Sequence, residues 1–520
     1  MKELLPSRVL ELAVLLGAVL VRILTGLSSY SGAGDAPKYG DYEAQRHWME
    51  LTVNLPPQLW YTNSSVNPGS YWPLDYPPLS GWQSWLHGQW LAAVEPKAVA
   101  LTSSHGYESS SSKRVMRATV LASDLAVFFP AAWAVARVLH GPHPCAARVW
   151  TLASLLLSPA LLIIDHGHFQ YNCLSLGAAA GAAAAILGGA PVLGSLLYCL
   201  ALNHKQMALY YAPAFFGHLL GRCLQARGGL AKVGAVARLG LVVVLSFALI
   251  WSPWLTSVKD ASQVIARIFP LRRGLFEDYV ANWWCASSVI FKWKQLIPAG
   301  LQVRLCAALT LAAATPSMLH QIMRPSPLGL LLAMANSAFA FFMFAFQVHE
   351  KSVLLPLLPI SMMAAHYPGL AVWTPMVAMV SMYPLLERDG LSLPYVALML
   401  LWAGLALVAW PWPRASQPAA VSTRATTETQ TSRAVARLSG LLESPALGSV
   451  SALALIALHA AKLLVPAPTH LPWLYDRVFI TLAFVALTPI ALYLQVAQWT
   501  LPVSDIPPAP GLWTTRVKEE

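Results

Sequence analysis

Charge is the scarcest thing in this chain. Only 11% of its 520 residues are Asp, Glu, Lys or Arg, while 57% are hydrophobic. Soluble proteins carry about 25% charged residues, so the deficit excludes a soluble globular protein and leaves an integral membrane one. Cysteine is nearly as rare. Six scattered residues without a CxxC pair exclude a disulfide scaffold and a structural zinc site. No P-loop, GxGxxG, HExxH or GxSxG is present, which argues against a nucleotide-driven pump. Acids are outnumbered, 23 against 34 Lys and Arg, for a net +11. In a membrane chain this excess points to loop topology and anionic lipid rather than to nucleic acid.

What is abundant is long apolar runs. A helix needs about 20 mostly apolar residues to cross a bilayer, and continuous rather than alternating apolar runs select helices over a barrel. Fourteen runs qualify, several of them short: 9–27, 118–139, 149–164, 173–190, 191–203, 206–221, 235–251, 297–315, 328–346, 353–367, 370–385, 392–410, 447–465 and 477–498. Pieces near Pro191 and between His366 and Gly369 can break or merge. The expectation is an all-α polytopic membrane protein of about 12–14 transmembrane helices, one unit over 1–520. The first run reads as an anchor rather than a signal peptide, because it contains Glu11 and Arg22 and lacks a small-x-small cleavage site.

With both termini in the cytosol, Arg222, Arg227, Lys232, Arg324, Arg414, Arg424, Arg433 and Arg437 share that side, as the positive-inside bias selects. Most acids outside the ends and the 411–446 linker then fall on the far side. Two long loops lie there, 28–117 and 252–296, rich in Trp, Tyr and Pro. Arg46-His47-Trp48 and Trp82-x-x-Trp85 read as interfacial, Ser103–Ser112 as a mobile patch and 411–446 as a flexible cytosolic linker. Asn63-Ser64-Ser65 is a glycosylation acceptor triplet in the first loop.

Polar clusters between spans are the candidates for chemistry. In Gly40-Asp41-Tyr42-Glu43-Ala44-Gln45-Arg46-His47, Asp41 could be a general base on a hydroxyl, or the acids could cap a helix and pair with Arg46. In Tyr71-Trp72-Pro73-Leu74-Asp75-Tyr76-Pro77-Pro78, the prolines restrict the chain. They could present Asp75 beside sugar-stacking rings, or simply form a rigid turn. Asp165-His166-Gly167-His168-Phe169-Gln170-Tyr171-Asn172 invites a metal but supplies no third ligand nearby, so a hydrogen-bonding hub or substrate contact is favoured. Gln347-Val348-His349-Glu350-Lys351 and Asn203-His204-Lys205-Gln206 end spans, where ionisable groups are costly and functional by default; snorkelling to headgroups is the alternative for Lys351. Arg267-x-x-Pro270-Leu271-Arg272-Arg273-Gly274-Leu275-Phe276-Glu277-Asp278 fits an amphipathic surface helix with arginines open to a phosphate, or plain attachment to anionic lipid.

Taken together, Gly40–Glu50, Leu74–Leu79, His166–Asn172, Phe269–Asp278 and Gln347–Lys351 closely resemble the eukaryotic endoplasmic-reticulum glucosyltransferases that use dolichyl-phosphate-glucose to build the N-glycan precursor. Gly274–Cys285 is similar to the member adding the first glucose. The pattern His-Ala-Tyr-Trp-Ala-Pro-Asn of the second-glucose sister is absent there. The resemblance implies a class C glycosyltransferase (GT-C) fold in the ER membrane, open to the lumen, with no cofactor and no metal. It implies dolichyl-phosphate-glucose as donor, lipid-linked Man9GlcNAc2 as acceptor, and an inverting transfer giving an alpha-1,3 link. Asp41 matches the family's base and Asp75 its second luminal Asp, an acceptor orienter. His349 and Lys351 lie where the leaving phosphate is held. Glu43, Arg46, His47, Tyr76, Asp165, His166, His168, Gln170, Arg273, Asp278 and Glu350 are further expected substrate contacts. The sister enzyme is the nearest alternative. A transporter is the rival of another class, but it would need repeats or broken helices with mid-membrane polar groups, and Asp124 is the clearest acid within a span.

Overall fold

The computed structural model describes residues 6–37, 39–269, 275, 279–409, 440 and 444–501, overwhelmingly as helices. The long apolar runs become long helices, because a chain that lies in lipid must satisfy its backbone internally. Seven helices among the described residues are long and apolar enough to cross a membrane. They are Ser7–Gly26, Ser110–His140, Ala146–Phe169, Gly229–Trp254, Ala299–Met323, Pro327–Phe344 and Leu474–Trp499. Four shorter apolar helices accompany them: Asn172–Leu187, Pro368–Ser381, Ser392–Val408 and Gly448–Leu464.

By length alone this is fewer than the 12–14 spans expected. Runs 191–203, 206–221 and 353–367 give the helices Pro191–His204, Ala212–Leu224 and Leu354–Met362. A 14-residue helix reaches only about 21 Å, short of the roughly 30 Å hydrocarbon layer. Apolar composition does not reveal where a run stops being helical. A 3-10 turn over Gln206–Tyr211 takes up the first part of the run 206–221.

Ala146–Phe169 is the centre of the bundle, with 94% of its apolar stretch buried, whereas Gly229–Trp254 is 11% buried and lies at the rim. The Ala/Gly-rich helix Asn172–Leu187 packs tightly beside Phe128, where a Cβ on Gly177 would come within 3.0 Å of backbone. Small residues permit that approach. The first helix is tied to the bundle by two ion pairs. Arg22 Nε reaches Asp124 at 2.5 Å, and Arg148 Nε lies 2.8 Å from Glu11 Oε1. Asp124 and His166, the latter 2.7 Å from it, both sit on π-helical turns, Asp124–Phe128 and Ile163–Phe169, a geometry that recurs at functional positions.

The 28–117 segment folds onto the bundle as the helices Asp41–Asn54 and Pro78–Val94. Its Trp48, Trp60, Tyr61 and Leu74 form one apolar cluster with Trp254, Val264 and Ile268 from the other long loop. The helix Val258–Ile268 is amphipathic, with Val264 and Ile268 inward and Val258 and Ile265 outward; the surface helix expected from Arg267 to Asp278 falls mostly outside the described residues. Two expectations are corrected here. Arg46-His47-Trp48 is buried rather than interfacial, because its charges are neutralised inside the fold. The Ser103–Ser112 stretch is ordered. Ser104 is buried between Arg46 and Glu50, and Ser109 and Ser112 form a capping box at the start of Ser110–Ser123. Short hydroxyl side chains suit both tasks, which composition alone reads as disorder. Of the 411–446 linker, all but 440 and 444–446 lies outside the described residues.

Candidate active site

Asp41 is the first residue of its helix, where a carboxylate gains from the helix dipole. The approach to it requires glycine twice. Gly32 has φ +75°, and a Cβ there would strike the Gly40 backbone, while a Cβ on Gly40 would strike Ser31. With both bare, the Tyr30-Ser31-Gly32 turn closes on the helix start, so that Asp41 N donates to Ser31 Oγ at 3.2 Å and Ser31 N to His168 O at 3.0 Å. The Asp41 loop and the His166–Asn172 turn are thereby joined through Ser31.

Three donors converge on Asp41 Oδ2. His168 Nε2 is 2.9 Å away, and Gln170 Nε2 and Lys351 Nζ also bond to it. Among the described residues none donates to Oδ1, and the side chain keeps 23% of its surface exposed. Burial works to raise the Asp41 carboxyl, but the Lys351 ammonium and His168 outweigh it and hold the group well below the usual carboxylate range. On the far side His168 Nδ1 meets Asp389 Oδ2 at 2.5 Å. Both ring nitrogens of His168 therefore face carboxylates.

These groups border a cavity of about 610 Å³, also lined by Trp48, Trp72, Asp75, Tyr76, Lys205, His349, Glu350 and Arg388. That volume suits a sugar-sized ligand. Backbone strain gathers around it. Tyr39 and Trp72 in the lining, Phe169 between His168 and Gln170, and Gln347 before His349 all have positive φ without being glycine, and such strain concentrates at functional sites. Tyr76 is fixed by Tyr61, whose hydroxyl donates to its carbonyl at 2.6 Å, and by an edge contact to Trp48 at 5.0 Å.

The structure thus brings Asp41, Asp75, Tyr76, His168, Gln170, His349, Glu350 and Lys351 to one cavity. It takes others elsewhere. Glu43 is two residues beyond Asp41, about 200° around the helix, and faces away from it. There Glu43 receives Arg46 through both oxygens at 2.6 and 2.7 Å, together with the Tyr71 hydroxyl. Arg46 continues to Glu50 and to the Ala98 carbonyl, and His47 Nδ1 lies 3.0 Å from Glu50. Glu43, Arg46 and His47 are absent from the lining and brace the helix against 71 and 98–106. Asp165 accepts from the Asn172 amide and the Cys173 N–H, capping the next helix, and His166 turns to Asp124. Arg273 and Asp278 lie outside the described residues.

Asp35, Lys205, Arg388 and Asp389 are charged residues of the lining that sequence reasoning did not assign to the site. Lys205 belonged to a flagged polar cluster. Asp389 sits in a short Arg-Asp-Gly turn between apolar runs, and that turn was the only signal for it.

Among the described residues one group, His47, Glu50 and His105, brings potential metal-ligand atoms within 4.8 Å of each other. Its carboxylate already accepts from Arg46, Ser104 and the Thr102 N–H. A resident guanidinium beside the carboxylate opposes a divalent cation. Burial would raise Glu50, but the His47 hydrogen bond and the Arg46 charge hold it down, from the ordinary 4.5 to about 2. A carboxyl depressed in the folded state stabilises above its unfolded pKa and loses that contribution as pH falls through its folded one. Thermal melts in detergent are therefore expected to lose stability between about pH 4.5 and 2, with a smaller pH dependence in Glu50→Gln.

Comparison with known proteins adds a lineage to this geometry. Residues 14–493 match the model of the ALG6, ALG8 glycosyltransferase family. The chain is 41% identical over 496 residues to a probable dolichyl pyrophosphate Man9GlcNAc2 alpha-1,3-glucosyltransferase of Arabidopsis thaliana, covering 94% of this chain and 90% of the relative. A Dictyostelium discoideum protein of the same description is 42% identical over 75% of this chain and 76% of its own length. The dolichyl pyrophosphate Man9GlcNAc2 alpha-1,3-glucosyltransferase of Mus musculus is 44% identical over 74% and 76% respectively.

Proposed function

Because this chain belongs to the ALG6, ALG8 glycosyltransferase family, we propose that it transfers glucose from dolichyl-phosphate-glucose to the terminal mannose of Man9GlcNAc2 on dolichyl diphosphate, forming an alpha-1,3 link. The relatives' shared description supports the acceptor and the linkage. Family membership and the acidic residues expected in the far-side loops support a GT-C unit in the ER membrane with its site toward the lumen.

One observation carries the mechanism. Asp41 has one oxygen saturated by three donors, while among the described residues none reaches the other. A carboxylate held so is ionised, fixed in orientation and able to accept a proton at Oδ1. The donor sugar is beta-linked and the product alpha-linked, so the reaction inverts and needs no covalent sugar intermediate. The acceptor oxygen bonds to glucose C1 as its proton passes to Asp41. The C1–O bond to phosphate breaks on the opposite face, and dolichyl phosphate leaves with the electron pair. A phosphate needs little acid help, so holding its charge where water is sparse is the larger contribution. Of the two residues expected here, Lys351 is paired with Asp41, and we assign the phosphate-holding role to His349, which borders the same cavity. Asp75 and Tyr76, also in the lining, orient the acceptor, and no step requires a metal.

The test is in-vitro transfer with purified protein, dolichyl-phosphate-glucose and defined lipid-linked acceptors, followed by linkage analysis. An alpha-1,3-glucosylated Man9 product, undiminished by exhaustive chelation, is expected. Glucosylation only of an acceptor already carrying one glucose would instead assign the second-glucose step.

A further inference from the structure

Burying a charge is tolerated when it is paired or when a ligand completes it. The cavity holds two buried ammonium groups, and they differ in this respect. Lys351 is ion-paired with Asp41. Lys205 is 4% exposed, and its Nζ donates only to neutral amides, Gln170 Oε1 at 3.1 Å and Asn172 Oδ1 at 2.6 Å. Those amides hold it one step away from carboxylates, since Gln170 donates to Asp41 and Asn172 to Asp165. The ammonium also lies 4.8 Å over the Tyr76 ring, on the cavity wall. Among the described residues no carboxylate forms an ion pair with it.

We infer that Lys205 is a binding residue for the donor's phosphate, supplying the positive charge that Lys351 has committed to the base. This rests on the transferase reading above. The protein has built an ammonium into the wall with its solvation replaced by two amide oxygens and its charge left uncompensated. An anion entering the cavity is what completes it. Asp41 stands on the far side of Gln170, so base and phosphate cation are separated by one amide, as an inverting displacement between them requires. The acceptor's diphosphate offers the same chemistry, but it is at the opposite end of a long oligosaccharide from the reacting mannose.

Burial lowers the Lys205 pKa first, and the like charge of Lys351 adds to this. Asp165, Asp41 and Cys173 oppose it, and the result is a fall to about 8. Asp35, Asp75, His168, His349, Glu350, Arg388 and Asp389 are the other charged or ionisable groups around the cavity, with the phenols of Tyr30, Tyr39 and Tyr76. Phosphate binding needs the protonated form, so affinity for the donor is lost as pH rises through that value.

Kinetics at varied pH decide the matter. In wild type, kcat/KM for dolichyl-phosphate-glucose is expected to fall tenfold per unit above about pH 8, with the acceptor KM unchanged. Lys205→Gln should lower donor kcat/KM by about 10- to 100-fold and abolish that alkaline limb. If wild type transfers glucose while Lys205→Gln retains donor kcat/KM within about threefold, or shows the same limb, the inference is overturned and the transferase reading stands. A rise confined to the acceptor KM overturns it equally. Absence of transfer by wild type overturns the reading itself. Should Lys205→Gln not fold, inhibition of wild type by dolichyl phosphate serves instead. It weakens above pH 8 if Lys205 holds the phosphate, and constancy from pH 7 to 10 refutes the assignment.

Discussion

Replacing Asp41 by Asn is expected to lower glucose transfer by about 10²- to 10⁴-fold, the usual worth of a positioned general base. The substitution is nearly isosteric, and the local donors dictate how the amide sits. His168, Gln170 and Lys351 all present N–H groups to the Oδ2 position, so the Asn carbonyl oxygen takes that place and its NH2 takes the place of Oδ1. The group facing the cavity is then a donor that cannot accept the acceptor's proton. Binding of both lipids should persist, because Asp75, Tyr76, His349 and Lys205 are untouched, although Lys351 loses its counter-charge. Single-turnover transfer measured beside lipid binding separates the two. Near-wild-type transfer by Asp41→Asn would remove Asp41 from the role of base. Because Asp41 is held well below the usual carboxylate range, the native enzyme should show no loss of transfer from this group between pH 7 and 5.

The largest effect on stability is expected at Asp124. Arg22 is 1% exposed; it binds Asp124 at 2.5 Å and the Leu156 carbonyl at 2.7 Å. Asp124→Ala leaves that guanidinium buried without its counter-charge and takes the partner from His166 as well. Breaking such a pair from one side costs about 3–5 kcal/mol. The double variant Arg22→Met, Asp124→Ala removes both charges and should recover most of that loss, since burying apolar groups of similar size is often close to neutral. Melting in one detergent, with all variants compared, measures the coupling. If the double variant is as unstable as the sum of both single ones, the two residues do not act as a pair.

The difference between Glu43 and Asp41 illustrates how far sequence reading reached. Both are acids in one motif, and spacing left open whether they share a direction. Helical geometry sends Asp41 to the cavity and Glu43 to Arg46. Asp165 and His166 stand in the same motif as His168 and Gln170, yet they cap a helix and bind Asp124. A π-helical turn over Ile163–Phe169 separates their directions. Ser104 shows the reverse error: a serine-rich stretch that looked mobile supplies a buried partner for Arg46. Hydroxyl-rich composition signals disorder only when no buried charge awaits the hydroxyls.

Membrane residence, helical class and the motifs that border the site are written along the chain itself. Apolar run length and low charge are local properties, and each helix forms from its own neighbours. Convergence is not local. Asp41 meets His168 from 127 residues away and Lys351 from 310, and His168 meets Asp389 across 221. Only bundle packing brings these groups within hydrogen-bonding reach. It also decides which buried charge is neutralised and which is left for a ligand. Electrostatic energy depends on separation in space and on local desolvation, and neither is specified by position in the chain.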